Sequence, residues 1–187
     1  MKKYELTSET KIVFGHILYR IKALSSFGYV SAGDLGGFLE SEKNLSQNGN
    51  AWVSGNAWVS GNAEVSGDAR VSGNAWVSGN AEVSGDARVS GDARVYGNAE
   101  VSGDAEVSEI GAIFWIGAVG SRNDTATFFR CRDGSIKVVC GCFFGNLDEF
   151  AKKVRKTHGD NDHAKVYMLA IDMAKIRIST EKEKTEE

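Results

Sequence analysis

The sequence predicts a mainly β chain, in which a coil of very short parallel strands lies between a β cap and a small α+β module. Residues 51–110 repeat a six-residue unit without a slip, and every unit carries alanine and, two positions later, valine. Because side chains alternate along a strand, the alanine and the valine share one side. A strand this short, ended by a Ser-Gly-Asn/Asp corner, turns the chain too little for a hairpin. The chain must therefore coil.

This spacing, a large aliphatic residue followed four positions later by a small one, resembles the left-handed hexapeptide β-helix. The resemblance covers residues 50–110 and implies three hexapeptides per triangular coil. Glycine and Asn or Asp tolerate the tight backbone angles of the corners. Other repeats fit worse, because a pentapeptide coil has a shorter period and calcium-binding β-rolls have a longer, glycine-rich one. Outward Trp, Glu and Arg also exclude a threonine-lined ice-binding helix.

A coil of three hexapeptides sorts the residue before each valine onto three faces. The first face carries Trp52, Arg70, Arg88 and Glu106, the second Trp58, Trp76 and Arg94, and the third Glu64, Glu82 and Glu100. Two positions before the three arginines stand Asp68, Asp86 and Asp92, whereas Asp104 departs from this rule by preceding a glutamate. We expect an Asp–Arg ion pair beside each arginine, worth a few tenths of a kcal/mol if exposed.

The three stacked glutamates of the third face should repel one another, and like charges on paired strands cost stability. In a monomer, solvent screening would relieve the repulsion. The alternative is a homo-oligomer, with a trimer favoured, in which this face meets the arginine corner of the next subunit. Outward aromatic side chains also favour association or ligand binding. The predicted interface consists of Trp52, Glu64, Glu82 and Glu100.

Residues 1–49 form the predicted N-terminal β cap. KIVF and ILYRIKAL are typical of short strands, and a glycine-rich passage follows them. Leu39 and Leu45 keep the six-residue spacing, so the coil can begin irregularly there, with two extra residues before Val53. A cap at each end prevents a parallel stack from polymerising through its open edges.

Residues 111–179 form the predicted C-terminal module, a βββαα unit that packs on the last coil or contacts neighbouring subunits. AIFWIG, TATFFRCR and IKVVCGCFF indicate strands, and Asp133-Gly134 indicates a hairpin. Asn146 and Glu149 form a capping box that opens a first helix. A second helix carries Ala164, Tyr167, Met168 and Ile171 on one face, and residues 180–187 form a charged tail.

The amino-acid composition limits the partners that the protein can bind and the compartment that it fits. The formal net charge of −3 gives no global basic field for a nucleic-acid polymer or a membrane surface, so any anion site is local. We expect no membrane-spanning helix and no signal peptide, because no apolar run is long enough. The odd number of cysteines, Cys131, Cys140 and Cys142, fits a reducing cytoplasm better than a disulfide framework.

The segments around the repeats carry a second resemblance. LYRIKAL, GDLGGFLESEKNLS, the hexapeptides, GCFFGNLDEF and HGDNDHAKVY together resemble bacteriophage and prophage hexapeptide-repeat proteins of unassigned function. The resemblance implies a viral origin and a cytoplasmic location in an infected or lysogenic bacterium. It implies no chemistry.

Catalytic and metal-binding patterns are weak. Hexapeptide acyltransferases use a histidine on the coil or on an inserted loop as general base, and this coil has neither. His16, His158 and His163 lie outside it, and we expect His158 to end a helix and His163 to begin the next. Zinc binding by the three cysteines with His158 or His163 is an alternative, but the Cys-x-Cys spacing is short and buried cysteine is usually a small hydrophobe. We expect no cofactor and no metal.

Outward aromatic and basic residues are the remaining candidates. Planar aromatics stack on bases and guanidinium groups hold phosphates, so a groove between subunits suits a nucleotide-like anion. Its predicted ligands are Trp58, Trp76, Arg70, Arg88 and Arg94. We therefore expect a non-enzymatic, oligomeric binding protein that sequesters a small nucleotide signal of host defence. The alternatives are a scaffold whose C-terminal module binds a host protein and an atypical acyltransferase that uses His158 or His163.

Overall fold

The chain is built around a parallel β-solenoid of about 4 turns, with two helices at its C-terminal end. The computed structural model describes residues 2–178, and the predicted charged tail at 180–187 lies outside them. The β-helix fold predicted from the hexapeptide period is confirmed.

Three longer strands precede the repeats: β1 (Tyr4–Val13), β2 (His16–Ala23) and β3 (Leu35–Leu39). They form an antiparallel sheet in the order β1-β2-β3. β3 then pairs in parallel with the solenoid, so that Leu39 lies opposite Val59 and Leu45 bridges to Val65. In both pairs the two partners are two residues further apart in sequence than partners in the regular coil, as the spacing of Leu39 and Leu45 predicts.

Ten two-residue strands form the walls of the solenoid. They are β4 (Trp52–Val53), β5 (Trp58–Val59), β6 (Glu64–Val65), β7 (Arg70–Val71), β8 (Trp76–Val77), β9 (Glu82–Val83), β10 (Arg88–Val89), β11 (Arg94–Val95), β12 (Glu100–Val101) and β13 (Glu106–Val107). They stack in parallel as β4-β7-β10-β13, β5-β8-β11 and β6-β9-β12. These stacks are the three faces predicted from the sequence, and the predicted membership of each face is confirmed.

Alanine and valine fill the interior of the solenoid. Every repeat alanine and valine from Ala51 to Val107 is at most 1% exposed. Backbone N–H groups donate to carbonyls of the next coil, for example from Trp52 to Ala69. The coils are therefore held by a continuous apolar core and by hydrogen bonds parallel to the solenoid axis.

The C-terminal module has four strands rather than the three predicted. They are β14 (Ile113–Val119), β15 (Asp124–Arg130), β16 (Ile136–Cys140) and β17 (Phe143–Asn146), and they precede α1 (Leu147–His158) and α2 (Asp162–Arg177). Short 3-10 helices cover Glu42–Asn44 and Ile110–Ala112. The segment IKVVCGCFF forms two strands rather than the single predicted one. Gly141 has a φ of +57°, which permits a tight turn between these two antiparallel strands.

This module closes the last coil. Ala105 bridges to Cys131, and the backbone N–H of Glu100 donates to Thr127 Oγ1. Phe129 is fully buried in the solenoid core, which places β15 across the open end. The predicted capping box at the start of α1 is present, since Asn146 and Glu149 exchange hydrogen bonds. No helix among residues 2–178 is long and apolar enough to cross a membrane.

Candidate functional site

Two arginines stack in register on the first face of the solenoid. Arg70 on β7 pairs with Arg88 on β10, and both side chains are exposed. The Arg70 guanidinium lies 3.7 Å from the centroid of the Tyr29 ring, which comes from the loop before β3. Stacking on the ring fixes the guanidinium plane and leaves its N–H groups free to donate.

A third arginine reaches this face from the C-terminal module. Arg132, in the turn between β15 and β16, donates from Nη2 to the backbone carbonyl of Asp86 at 3.0 Å. Together Tyr29, Arg70, Arg88 and Arg132 line a cavity of about 180 Å³. We call this cavity the arginine pocket. Its volume suits a phosphate or a similar compact anion rather than a whole drug-sized molecule, which usually needs about 300 Å³ or more.

The predicted Asp–Arg ion pairs are wrong. Asp68 Oδ1 accepts instead from Asn50 Nδ2 at 2.8 Å, and Asp92 Oδ1 accepts from Asn74 Nδ2 at 3.1 Å. Corner side chains lie above one another at every coil, so Asn and Asp bond along the axis rather than toward the neighbouring strand. No ion pair within residues 2–178 joins Asp68, Asp86 or Asp92 to an arginine.

Acidic groups remain close to the arginine pocket. Asp68 and Asp86 line it together with the three arginines. Lys3 lies near Asp68, and its pKa falls to about 8 mainly because the ammonium is buried, an effect that Asp68 opposes. The three guanidinium groups outnumber the two carboxylates, so the pocket retains a net positive charge.

Two of the three predicted outward tryptophans are buried within the chain. Trp52 is 2% exposed beneath Tyr4 and Phe27, and Trp58 is 8% exposed beneath the β1–β2 hairpin. The predicted interface role of Trp52 and the predicted ligand contact of Trp58 are therefore wrong. Both rings do point outward from the solenoid, but the N-terminal strands fold back over them.

Trp76 is the partly exposed tryptophan of the second face. Its ring lies 5.3 Å from the Phe14 ring and 5.1 Å from the Arg94 guanidinium. Phe14, Trp76 and Arg94 line an open groove of about 260 Å³ together with Asn74 and Asp92. This groove and the arginine pocket belong to different faces. The five predicted ligand residues therefore do not form one site within a single chain.

The third face retains its unbalanced glutamates. Glu64 pairs in register with Glu82, and Glu82 with Glu100. Burial raises the pKa of Glu100, and the charges of Glu82 and Asp124 raise it further. Asp104, the exception in the repeat pattern, has a partner instead, because Lys137 Nζ donates to its carboxylate at 2.6 Å.

The histidines and cysteines are dispersed. His16 Nδ1 is 2.9 Å from Glu40 Oε1 at the N-terminal end, whereas His158 and His163 lie side by side at the α1–α2 junction with ring centroids 5.6 Å apart. Cys131 is buried in the solenoid core, Cys140 in the core of the module, and Cys142 is exposed. Burial raises the pKa of Cys131 to about 12.

Within the described part of the chain, no three His, Cys, Asp or Glu side chains are grouped to hold a metal ion. The zinc alternative therefore has no assembled set of ligands among residues 2–178.

Tyr29 and Arg132 belong to the arginine pocket, but no pattern in the sequence predicts that they do. Each comes from a segment outside the repeat, and neither shares the period that identified Arg70 and Arg88. The adjacent Asp133-Gly134 hairpin signal does predict that Arg132 lies in a turn, but it does not predict what that turn faces.

Comparison with known proteins supports the solenoid. The YdcK beta solenoid repeat matches this chain at residues 63–79 and 81–97, which lie in the central coils. No curated protein matches the sequence. The chain is therefore a β-solenoid repeat protein with a net positive pocket of arginines on one face.

Proposed function

We propose that this chain is a non-enzymatic binding protein that holds the phosphate end of a small nucleotide-like anion in the arginine pocket. One observation carries the proposal: Arg70 and Arg88 stack in register although neither has an acidic partner among the described ion pairs. Like charges on paired strands repel, and a bound anion between them would reverse that cost.

The geometry also favours a phosphate over a simple halide. Guanidinium groups present several N–H donors in a plane and bind phosphate oxygens in pairs. Arg132 approaches from a separate element, so three guanidinium groups can surround one anion. The exposed ring of Tyr29 lies beside Arg70 and offers a stacking surface to the rest of the ligand.

Calorimetry with the full chain tests this proposal. ATP and inorganic tripolyphosphate should both bind, with affinity falling as salt rises, whereas adenosine should not. Arg88→Ala should weaken the binding of both anions by at least about tenfold, because one of three charge-assisted contacts is lost. Arg155→Ala removes the same charge from an exposed position on α1 and should change nothing. No heat with either anion would refute the proposed function.

Origin, assembly and biological role form the wider proposal. A phage or prophage source, a cytoplasmic location and the sequestration of a host-defence signal rest on the resemblance of the terminal segments to phage proteins. Assembly into a homotrimer rests on the uncompensated glutamate face and the uncompensated arginines, which are complementary in charge. With Trp52 and Trp58 buried, charge is the main argument that remains for that assembly.

A scaffold that binds a host protein is the second candidate. The observation that favours it is an exposed apolar stripe along the outer side of α2, formed by Val166, Leu169, Met173 and Ile176. Ile176→Glu should then abolish capture of a host protein while leaving ATP binding intact. If Ile176→Glu leaves capture unchanged, this candidate is wrong.

A further inference from the structure

A second cavity lies in the C-terminal module, away from the solenoid faces. It has a volume of about 360 Å³ and opens between the β16–β17 turn and the two helices. Its floor is apolar and consists of Phe143, Phe150, Val154 and Tyr167, of which all but Phe143 are at most 6% exposed. We call it the module pocket. Its volume and apolar floor fall in the range of small-molecule sites.

Three basic side chains stand around this floor. Arg122, Lys153 and His158 line the module pocket, and its lining contains no aspartate or glutamate. Arg122 is held in place by Asp124, with 3.5 Å between Nη2 and Oδ2. It also packs against Gly141, where a Cβ atom would collide with the guanidinium. Arg122 is therefore positioned by Asp124 and by the β16–β17 turn, whereas Lys153 and His158 belong to α1.

The wall of the module pocket contains a weakly bonded hydroxyl. The Tyr167 hydroxyl lies 3.7 Å from Cys140 Sγ, and a thiol is a poor hydrogen-bond partner. Tyr167 itself is 6% exposed, so bulk water reaches it little. Burial, with Cys140 adding to it, raises the Tyr167 pKa far above its usual range, which keeps the hydroxyl protonated and able to donate.

We propose that the module pocket binds a small amphipathic anion, that is, an aryl or acyl group bearing a carboxylate, sulfonate or phosphate. The apolar body lies on Phe143, Phe150 and Val154, and the charged end meets Lys153 and Arg122 at the rim. The Tyr167 hydroxyl donates to an oxygen of the ligand. This inference goes beyond the proposed function, since it concerns another core of the molecule and does not depend on the arginine pocket.

Fluorescence titration of the full chain with 8-anilinonaphthalene-1-sulfonate tests the charge requirement. The sulfonate should bind at one site, and its uncharged analogue N-phenyl-1-naphthylamine should bind much more weakly. Lys153→Glu should weaken sulfonate binding by at least about tenfold, because an attraction becomes a repulsion. The matched control is Lys152→Glu, which makes the same charge change one residue away, outside the pocket lining, and should have less than a twofold effect.

Alkylation of Cys142 locates the bound probe. Cys142 is exposed and lines the module pocket, whereas Cys131 and Cys140 are buried. Bound sulfonate should slow the reaction of Cys142 with iodoacetamide in the parent chain and in Lys152→Glu, but not in Lys153→Glu. Absence of binding, equal weakening by the two lysine variants, or unprotected Cys142 would each overturn the proposal. The last two outcomes would place the probe elsewhere, for example on the exposed side of α2.

Discussion

Glycines at the corners of the solenoid set how closely successive coils approach. Gly85 has a φ of +66°, and a Cβ atom there would lie 2.8 Å from the backbone nitrogen of Gly103 in the next coil. Gly134 has a φ of +80°, but a Cβ atom there would meet nothing within 4 Å. The two positions therefore separate the cost of a left-handed backbone from the cost of a collision between coils.

Alanine substitutions at these glycines should differ in free energy of unfolding. Gly134→Ala should cost about 1–2 kcal/mol, the penalty of a left-handed conformation for a residue with a Cβ atom. Gly85→Ala should cost more, because the coils must also move apart. Urea denaturation of both variants checks this difference. Equal losses would mean that the spacing of the coils does not depend on the missing Cβ atom.

The pair formed by Asp104 and Lys137 links stability to pH. The hydrogen bond from Lys137 holds the pKa of Asp104 below its ordinary value. A carboxylate with a lowered pKa stabilises the fold above the unfolded value of about 3.9, and this contribution disappears as pH falls through the lowered pKa. Asp104→Asn should therefore destabilise the chain at pH 7, and its cost should shrink progressively below about pH 4.

Denaturation of the parent chain and of Asp104→Asn, at pH 7 and again below about pH 4, measures this contribution. Asp160→Asn, at an exposed position after α1, provides the control and should show no such dependence. A loss in Asp104→Asn that stays constant with pH would show that packing, not charge, explains the effect of the substitution.

The strands and helices differ in how far the sequence predicts them. A strict six-residue period fixes which side chains enter the solenoid. Once three hexapeptides per coil are assumed, the same period also fixes which outward residues share a face. Local signals likewise predict the capping box of Asn146 and the hairpin at Gly134. By contrast, the burial of Trp52 depends on Tyr4 and Phe27, which are distant in sequence and have no periodic relation to the repeats.

The same limit applies to the candidate sites. Arg70 and Arg88 were identified because they belong to the repeat, whereas Arg132 reaches them only through the packing of the C-terminal module on the last coil. In the module pocket, Arg122, Lys153 and Tyr167 come from a turn and two helices whose relative placement no local pattern specifies. Non-local packing therefore completes both sites.

The packing of the N-terminal strands on the solenoid can be tested with two tryptophans in equivalent repeats. Trp52→Ala should cost about 3–5 kcal/mol, as expected for a large side chain lost from a core. Trp76→Ala removes the same side chain from a partly exposed position and should cost clearly less. Thermal and urea unfolding of the two variants give the comparison. If Trp52→Ala were as mild as Trp76→Ala, Tyr4 and Phe27 would not cover Trp52 in solution.

In the molecule as a whole, charge is distributed unevenly between the solenoid faces. The third face stacks Glu64, Glu82 and Glu100, whereas Arg70 and Arg88 stack on the first face without ion-pair partners among residues 2–178. Both faces are closed at their ends by modules of the same chain. The proposed trimer would therefore form side by side, through these two faces.

Light scattering distinguishes a side-by-side trimer from a monomer. The parent chain should have three times the monomer mass, and high salt should reduce it, because exposed charges are screened over about 10 Å at 0.1 M salt and over about 3 Å at 1 M. Glu82→Arg should dissociate the trimer by placing a positive charge against the arginines of the neighbouring subunit. Glu5→Arg, the same reversal at an exposed position on β1, should leave the mass unchanged. A monomer under all conditions would show that solvent alone screens the glutamate face, and the arginine pocket would then act within a single chain.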